Sequence, residues 1–167
     1  MKTNNCTVVY PGSFDPPTNG HLDLIIRATK MFKKVIVLVM NNTFKQYTFS
    51  VEERIKMLNL VIKKNRLKNV RVEKYNGLLV DYLRKNNLKV VLRGLRAVSD
   101  FDYEFQMVLT NRKMFPQMET VYLMPDIKWI YLSSRLVKEI SKFGGDISYF
   151  VPKAIISIIK QKFEKLK

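Results

Sequence analysis

His21 is the only histidine in the 167-residue chain, and it ends the stretch PGSFDPPTNGH. Gly12 lets the chain turn with no side chain in the way. Asp15 precedes Pro16 and is biased towards extended backbone. Thr18 or Asn19 is placed to cap a helix whose first turn then holds Gly20 and His21. The unpaired N–H groups and the dipole of such a helix end favour an anion. A neutral imidazole there would donate to a phosphate on its arrival. A lone histidine in an α/β protein is more often structural or simply exposed, but the small residues leading to a helix end favour the phosphate role. Arg93 and Arg96, around Gly94, add two cations just after the apolar run KVVLR. Two familiar phosphate devices are absent: no G-x-G-x-x-G follows the first strand, and there is no G-x-x-x-x-G-K-[ST]. A Walker-type NTPase and a common dinucleotide-binding oxidoreductase are therefore disfavoured.

The elements that must position these residues alternate. CTVVY reads as a strand and HLDLIIRATKMF as a helix, its apolar residues Leu22, Ile25, Ile26 and Met31 recurring at helical spacing. Val35–Met40 is a continuous apolar run, as in a strand buried on both faces. Ser50 and Glu53 stand in capping-box spacing at the head of SVEERIKMLNLVIKKN. VRVEKY, KVVLR and ETVYLM read as strands. LLVDYLRKNN, DFDYEFQMVLTNRKMF and SSRLVKEISKFGG read as helices, the last stopped by a glycine pair. PKAIISIIKQKFEKL reads as a closing helix with Pro152 near its first turn. Strands separated by helices imply βαβ units, hence a Rossmann-like open parallel sheet of five strands flanked by helices, one domain over residues 1–167. Ligands bind such sheets beyond the carboxyl ends of the strands. The loops to watch are then Pro11–Asn19, Asn41–Ser50, Asn76–Leu78, Arg93–Ser99 and Pro125–Ser133.

Composition narrows the class. The formal charge is +16, with hydrophobic residues at 47%, typical of a soluble globular protein. The excess of cations favours polyanionic partners. Much of it is lysine beside asparagine, as in IKKNRLKN, which reads as solvated helix ends and loops, so nucleic-acid binding is a minor alternative. No apolar run is long enough to span a bilayer, and the N-terminus makes a poor signal peptide. The single cysteine, Cys6, excludes an internal disulfide framework and reads as a small buried apolar residue near the end of a strand. The expected location is cytoplasmic, with neither membrane nor nucleic acid as partner.

TNGH resembles the T/H-x-G-H signature of nucleotidylyltransferases. The chain as a whole is similar to the bacterial phosphopantetheine adenylyltransferases, through YPGSFDP, TNGH, FSVEER, RGLRAVSDFDYE, LMP and SSRLVKE in order and at similar spacing. The resemblance implies adenylyl transfer from ATP to 4′-phosphopantetheine, giving dephospho-CoA and pyrophosphate. It implies a catalytic set of Ser13, His21, Lys45 and Arg96. It places ATP against Ser13, Phe14, His21, Gly94, Leu95, Arg96, Glu104 and the segment Trp129, Ile130, Tyr131, Leu132, Ser133, Ser134 and Arg135. It places phosphopantetheine against Ser13, Lys45, Leu79 and Arg93. It further implies a homohexamer, inhibition by coenzyme A, and magnesium carried by substrate phosphates with no protein metal ligand. The chain departs from the family at Arg135, where members often have serine or threonine, and at Gln46 and Tyr47, where they often have lysine and proline. The plainer reading of Glu104 is a first-turn acid that stabilises its helix, and of Trp129, packing.

The chemistry suits this sparse toolkit. A phosphate nucleophile is already anionic and needs no protein base. Repulsion between two polyphosphates and charge on the α-phosphate oxygens oppose the reaction, so alignment and charge stabilisation are the enzyme's task. A related adenylyltransferase with another acceptor, such as nicotinate mononucleotide, is the alternative, and RGLRAVSDFDYE argues against it.

Overall fold

The computed structural model describes residues 4–41, 45–96 and 98–165. Five strands, β1 (Asn4–Gly12), β2 (Phe32–Met40), β3 (Val70–Tyr75), β4 (Val90–Gly94) and β5 (Glu119–Leu123), alternate with α1 (Asn19–Met31), α2 (Val51–Lys64), α3 (Leu79–Lys85) and α4 (Val98–Met114). A 3-10 turn (Ile127–Trp129), α5 (Ser134–Lys142), a second turn (Lys153–Ile155) and α6 (Ile156–Glu164) follow. Every strand pair is parallel, in the order β3-β2-β1-β4-β5. This is the Rossmann-like sheet expected from the alternating pattern, flanked by helices.

Several boundaries differ from the sequence reading. The first helix stops at Met31, and Phe32 opens β2 in register with Asn4 of β1, so pairing with β1 overrides the helical pattern there. Pro152 precedes a 3-10 turn, and the closing helix starts only at Ile156. Helix α4 begins at Val98. Glu104 therefore sits in its second turn, too far from the helix end to act as a first-turn acid. Cys6 lies near the start of β1, as read, and is half-buried rather than fully buried.

Alternation along the strands divides the core. Val8 and Tyr10 with Val35, Val37 and Val39 pack beneath Leu24, Ile25 and Ala28 of α1. The opposite parity, Val9, Leu38 and Val91, packs with Val80, Tyr82 and Leu83 of α3. A third cluster joins Phe49, Met57 and Val61 to Leu132, Val137, Ile147, Val151, Ile155 and Ile159. It seats the segment after β5 and the last helices on α2.

The ladders fix the position of the cleft. β1 stays paired with β2 as far as Gly12 opposite Val39. Its pairing with β4 covers only Val8–Val90 and Val9–Val91. Beyond that point the two central strands part, at the place where strand order reverses. Such switch points form the ligand crevice of open α/β sheets. Gly12 lines this exit for a packing reason. A Cβ there would lie 2.9 Å from the ring of Phe14. That ring is 1% exposed and stands edge-on to Tyr10 and His21, so it has little room to retreat. Gly12→Ala should cost about 1–3 kcal/mol, the range for overpacking a full core. Urea unfolding of the two proteins measures this, and an unchanged midpoint would show that the ring can move.

Candidate active site

Thr18 is the N-cap of α1, and His21 completes a capping box in place of the usual acid. The Thr18 backbone N–H donates to His21 Nδ1 at 3.0 Å, and the Thr18 hydroxyl lies 3.0 Å from the same nitrogen. An Nδ1 that accepts a backbone N–H bears a lone pair, so the proton of the neutral ring sits on Nε2. Burial, with a smaller contribution from the positive charge of Arg96, lowers the imidazole pKa from 6.5 to about 4. The ring is thus a neutral donor over the physiological range, its tautomer set by the helix cap.

Tyr10 lies beneath this ring, with centroids 6.4 Å apart. Burial pushes its phenol well above the ordinary value, although the charges of Arg93 and Arg96 pull the other way. The imidazole and both arginines therefore gather around one buried tyrosine at the mouth of the β1–β4 crevice. Arg93 spans the gap itself. One terminal nitrogen donates to the Pro11 carbonyl of β1 at 3.1 Å. Its Nε donates to Glu104 Oε2 at 2.8 Å, and its other terminal nitrogen to Glu104 Oε1. Burial opposes the Arg93 charge, but the Glu104 carboxylate outweighs it and the net shift is upward. Glu104 is 7% exposed, and both its oxygens are engaged by Arg93. Leu79, Arg93, Glu104, Asn111 and Thr120 line a cavity of about 30 Å³ beside this pair. Thr120 Oγ1 is buried there with no hydrogen-bond partner among the described residues.

The segment after β5 forms the other wall. Arg96 donates to the Leu132 carbonyl at 3.1 Å. The Asp126 N–H donates to Asp23 of α1 at 3.1 Å, and the Ser134 hydroxyl to the Pro16 carbonyl at 2.7 Å. Ser133 caps α5 by accepting the Leu136 N–H at 3.1 Å. Trp129 is half-buried against Gly20 and packs on Tyr149, with ring centroids 5.1 Å apart. Ile130, Tyr131 and Arg135 are exposed, whereas Leu132 is buried. Gly94 lies close to Leu24, 2.6 Å from where its Cβ would be, and Leu95 donates to the Leu123 carbonyl.

Asp15, 3% exposed, accepts the Phe49 N–H at 2.9 Å, the Thr48 N–H at 3.2 Å and the Lys138 ammonium at 2.9 Å. It fastens the β2–α2 connection to the first loop and to α5. Lys45 is exposed on that connection. The ring of Tyr47, one of the departures from the family pattern, lies 4.3 Å beneath the guanidinium of Arg54. The structure thus brings Ser13, His21, Arg93, Arg96 and the Trp129–Arg135 segment to one carboxyl edge. Lys45 is on the same edge, without a contact to the others among those described. Phe14 is buried. Sequence reasoning missed Asp15 and Arg54 as anchors. Their signal was weak: a polar residue between two turns and an arginine in a charged helix start.

Residues 9–140 match the cytidylyltransferase-like family model. A phosphopantetheine adenylyltransferase from Dictyoglomus thermophilum is 54% identical over 93% of both chains. Others, from Lawsonia intracellularis and Clostridium botulinum, are 48% and 53% identical over 93% and 89% of this chain and 89% and 92% of their own. A solved structure described as a nicotinate-nucleotide adenylyltransferase from Vibrio parahaemolyticus superposes with a TM-score of 0.70 at 17% identity, covering 93% of this chain and 99% of that one. At that identity the likeness concerns the fold.

His21 is the one histidine, so its ring-proton NMR signal is unambiguous. It should titrate with a midpoint about 4, and the nitrogen shifts should report the Nε2–H tautomer. Because the folded pKa is depressed, this group's contribution to stability is fully present above about pH 6.5 and is lost as pH falls through about 4. A midpoint near 6.5 would mean the ring is solvated.

Proposed function

Since the chain belongs to the phosphopantetheine adenylyltransferases within the cytidylyltransferase-like family, we propose that the crevice between β1 and β4 carries out their reaction. The adenylyl group of ATP passes to 4′-phosphopantetheine, giving dephospho-CoA and pyrophosphate. The carrying observation is the gathering of His21, Arg93 and Arg96 about Tyr10 at the point where the central strands part.

In this reading a phosphate oxygen of 4′-phosphopantetheine attacks the α-phosphorus of ATP in line, and pyrophosphate leaves. The new phosphoanhydride bond replaces the one broken, so no covalent enzyme intermediate is needed. His21 Nε2–H donates to the α-phosphate oxygens, where charge builds. Arg96 supports that charge, and Ser13 lies between the two substrates. Lys45 and Arg93 hold the acceptor side, with Leu79 against the pantetheine arm. Gly94–Arg96, Glu104 and Trp129–Arg135 hold ATP, with Phe14 contributing backbone. Gly20 supports this placement: a Cβ there would meet Trp129 only at an ordinary 3.6 Å, so internal packing does not demand glycine and close approach of a phosphate would.

Magnesium belongs to this reading as a companion of the substrates. No group of three acidic, histidine or cysteine residues among the described residues could hold a metal ion, and the cleft's donors are N–H groups suited to phosphate. Bound to the ATP phosphates, the ion supplies charge neutralisation. Coenzyme A shares the pantetheine arm of the product and would compete for the acceptor side. Helix α4 exposes Phe101, Phe105 and Leu109 along one stripe and Tyr103 and Met107 along another, apolar area that favours self-association; the homohexamer is the state the family resemblance implies. No described helix is long and apolar enough to cross a membrane; the cytoplasm is the proposed location.

With ATP, magnesium and 4′-phosphopantetheine, the pure protein should form dephospho-CoA and pyrophosphate. Chelation should stop product formation, and nicotinate mononucleotide should not serve as acceptor. Absence of pyrophosphate release would reject the reading. His21→Gln keeps a capping-box side chain and removes the imidazole. It should lower kcat about 100-fold, in the range for losing one oxyanion donor, with stability nearly unchanged. Light scattering should give six chains for the parent, and smaller species for Phe105→Lys if α4 is the contact.

A further inference from the structure

Arg54 has no part in the chemistry above, yet it is the largest fully buried side chain described, 1% exposed. It lies in the first turns of α2. Its Nε donates to the Phe49 and Ser50 carbonyls at 3.1 and 3.2 Å. One terminal nitrogen donates to the Ser13 carbonyl at 2.8 Å, and the other to Asn41 Oδ1 at 2.6 Å. The ring of Tyr47 covers one face. None of these acceptors is a carboxylate. Burial depresses its pKa, and the carboxylates of Asp15 and Glu52 only partly counter that. A buried cation without a bonded counter-ion is a costly way to fill a core, where an apolar side chain of similar volume usually does as well or better. Its value must lie in what it holds.

What it holds is one half of the site. The four acceptors come from the exit of β1, the exit of β2 and the entry to α2. Asp15 grips the same entry from the other side through the Thr48 and Phe49 N–H groups. Residues 47–50 are thus fixed by an anion that takes their amide hydrogens and a cation that takes their ring and carbonyls. Lys45 stands two residues before Tyr47. We infer that Arg54 is the positioning residue of the acceptor half, setting Lys45 and Ser13 relative to each other through the β1 and β2 exits. This rests on the reading that Lys45 and Ser13 meet the phosphate of 4′-phosphopantetheine. None of the Arg54 bonds reaches His21, Gly94–Arg96 or the segment after β5, so the part of the ATP half that lies outside the first loop stands independently of it.

The two halves give the experiment its discrimination. Arg54→Lys keeps a cation, but a single ammonium cannot reproduce the planar fork that serves four separated acceptors. Steady-state kinetics should show KM for 4′-phosphopantetheine raised at least about tenfold and kcat lowered, with KM for ATP and calorimetric ATP affinity within about twofold of the parent. The His21 NMR signal should stay in place, because the Thr18 cap is untouched. Arg54→Met, measured alongside, keeps the inference testable if the lysine variant folds poorly. A variant with both Michaelis constants unchanged, or with ATP affinity and acceptor KM impaired equally, would overturn the assignment. If the parent protein itself forms no dephospho-CoA, the proposed function fails first, and that result is separate from any variant.

Discussion

The molecule depends on a ladder that ends early. In a sheet of parallel strands, neighbouring backbones ordinarily satisfy each other along their shared length. Here β1 and β4 are bound for two residue pairs only, while each remains paired to its outer neighbour up to its last residue. The backbone groups freed at the split need other partners, and Arg93 supplies one by donating to the Pro11 carbonyl. The crevice is therefore held open by a charged side chain, and that places a cation at its floor before any ligand arrives. Glu104 keeps this cation charged in a buried place, and the pair costs less than a lone buried ion would.

The histidine follows the same economy of parts. The start of a helix has backbone N–H groups to satisfy, and an acid at the third position usually closes the cap. An imidazole does that job here and gains a fixed orientation from it. The Thr18 N–H occupies Nδ1, so the only proton on the neutral ring points away from the helix cap. A carboxylate in its place would cap the helix equally well and repel a phosphate. Local structure and chemistry thus select the same residue for different reasons.

Much of this could be read along the chain. The alternating pattern gives the sheet, and both bonds of the Ser50–Glu53 box form as the spacing implies. The helix start at TNGH is also local, fixed within four residues. What escaped sequence reading depends on groups brought together from afar. Arg54 resembles any exposed arginine on a charged helix until Ser13 and Asn41 are folded over it. Glu104 and Arg93 are eleven residues apart in sequence and meet only because α4 runs back across β4. The pairing of Asn4 with Phe32 prolongs two strands into polar sequence, which periodicity alone could not reveal. Propensity describes a segment's own preference, and these features are decided by neighbours that the segment does not encode.

Phe14 has φ of +50°, a left-handed backbone that a bulky residue adopts only under constraint. The constraint is the burial of its ring over Gly12. The two positions are consequently coupled sterically. A smaller side chain at 14 relaxes the backbone and vacates the space that a methyl at 12 would fill, so each change removes the obstacle to the other. A methyl at 12 alone meets the ring, and a smaller residue at 14 alone leaves a void over Gly12; made together, the two changes offset each other.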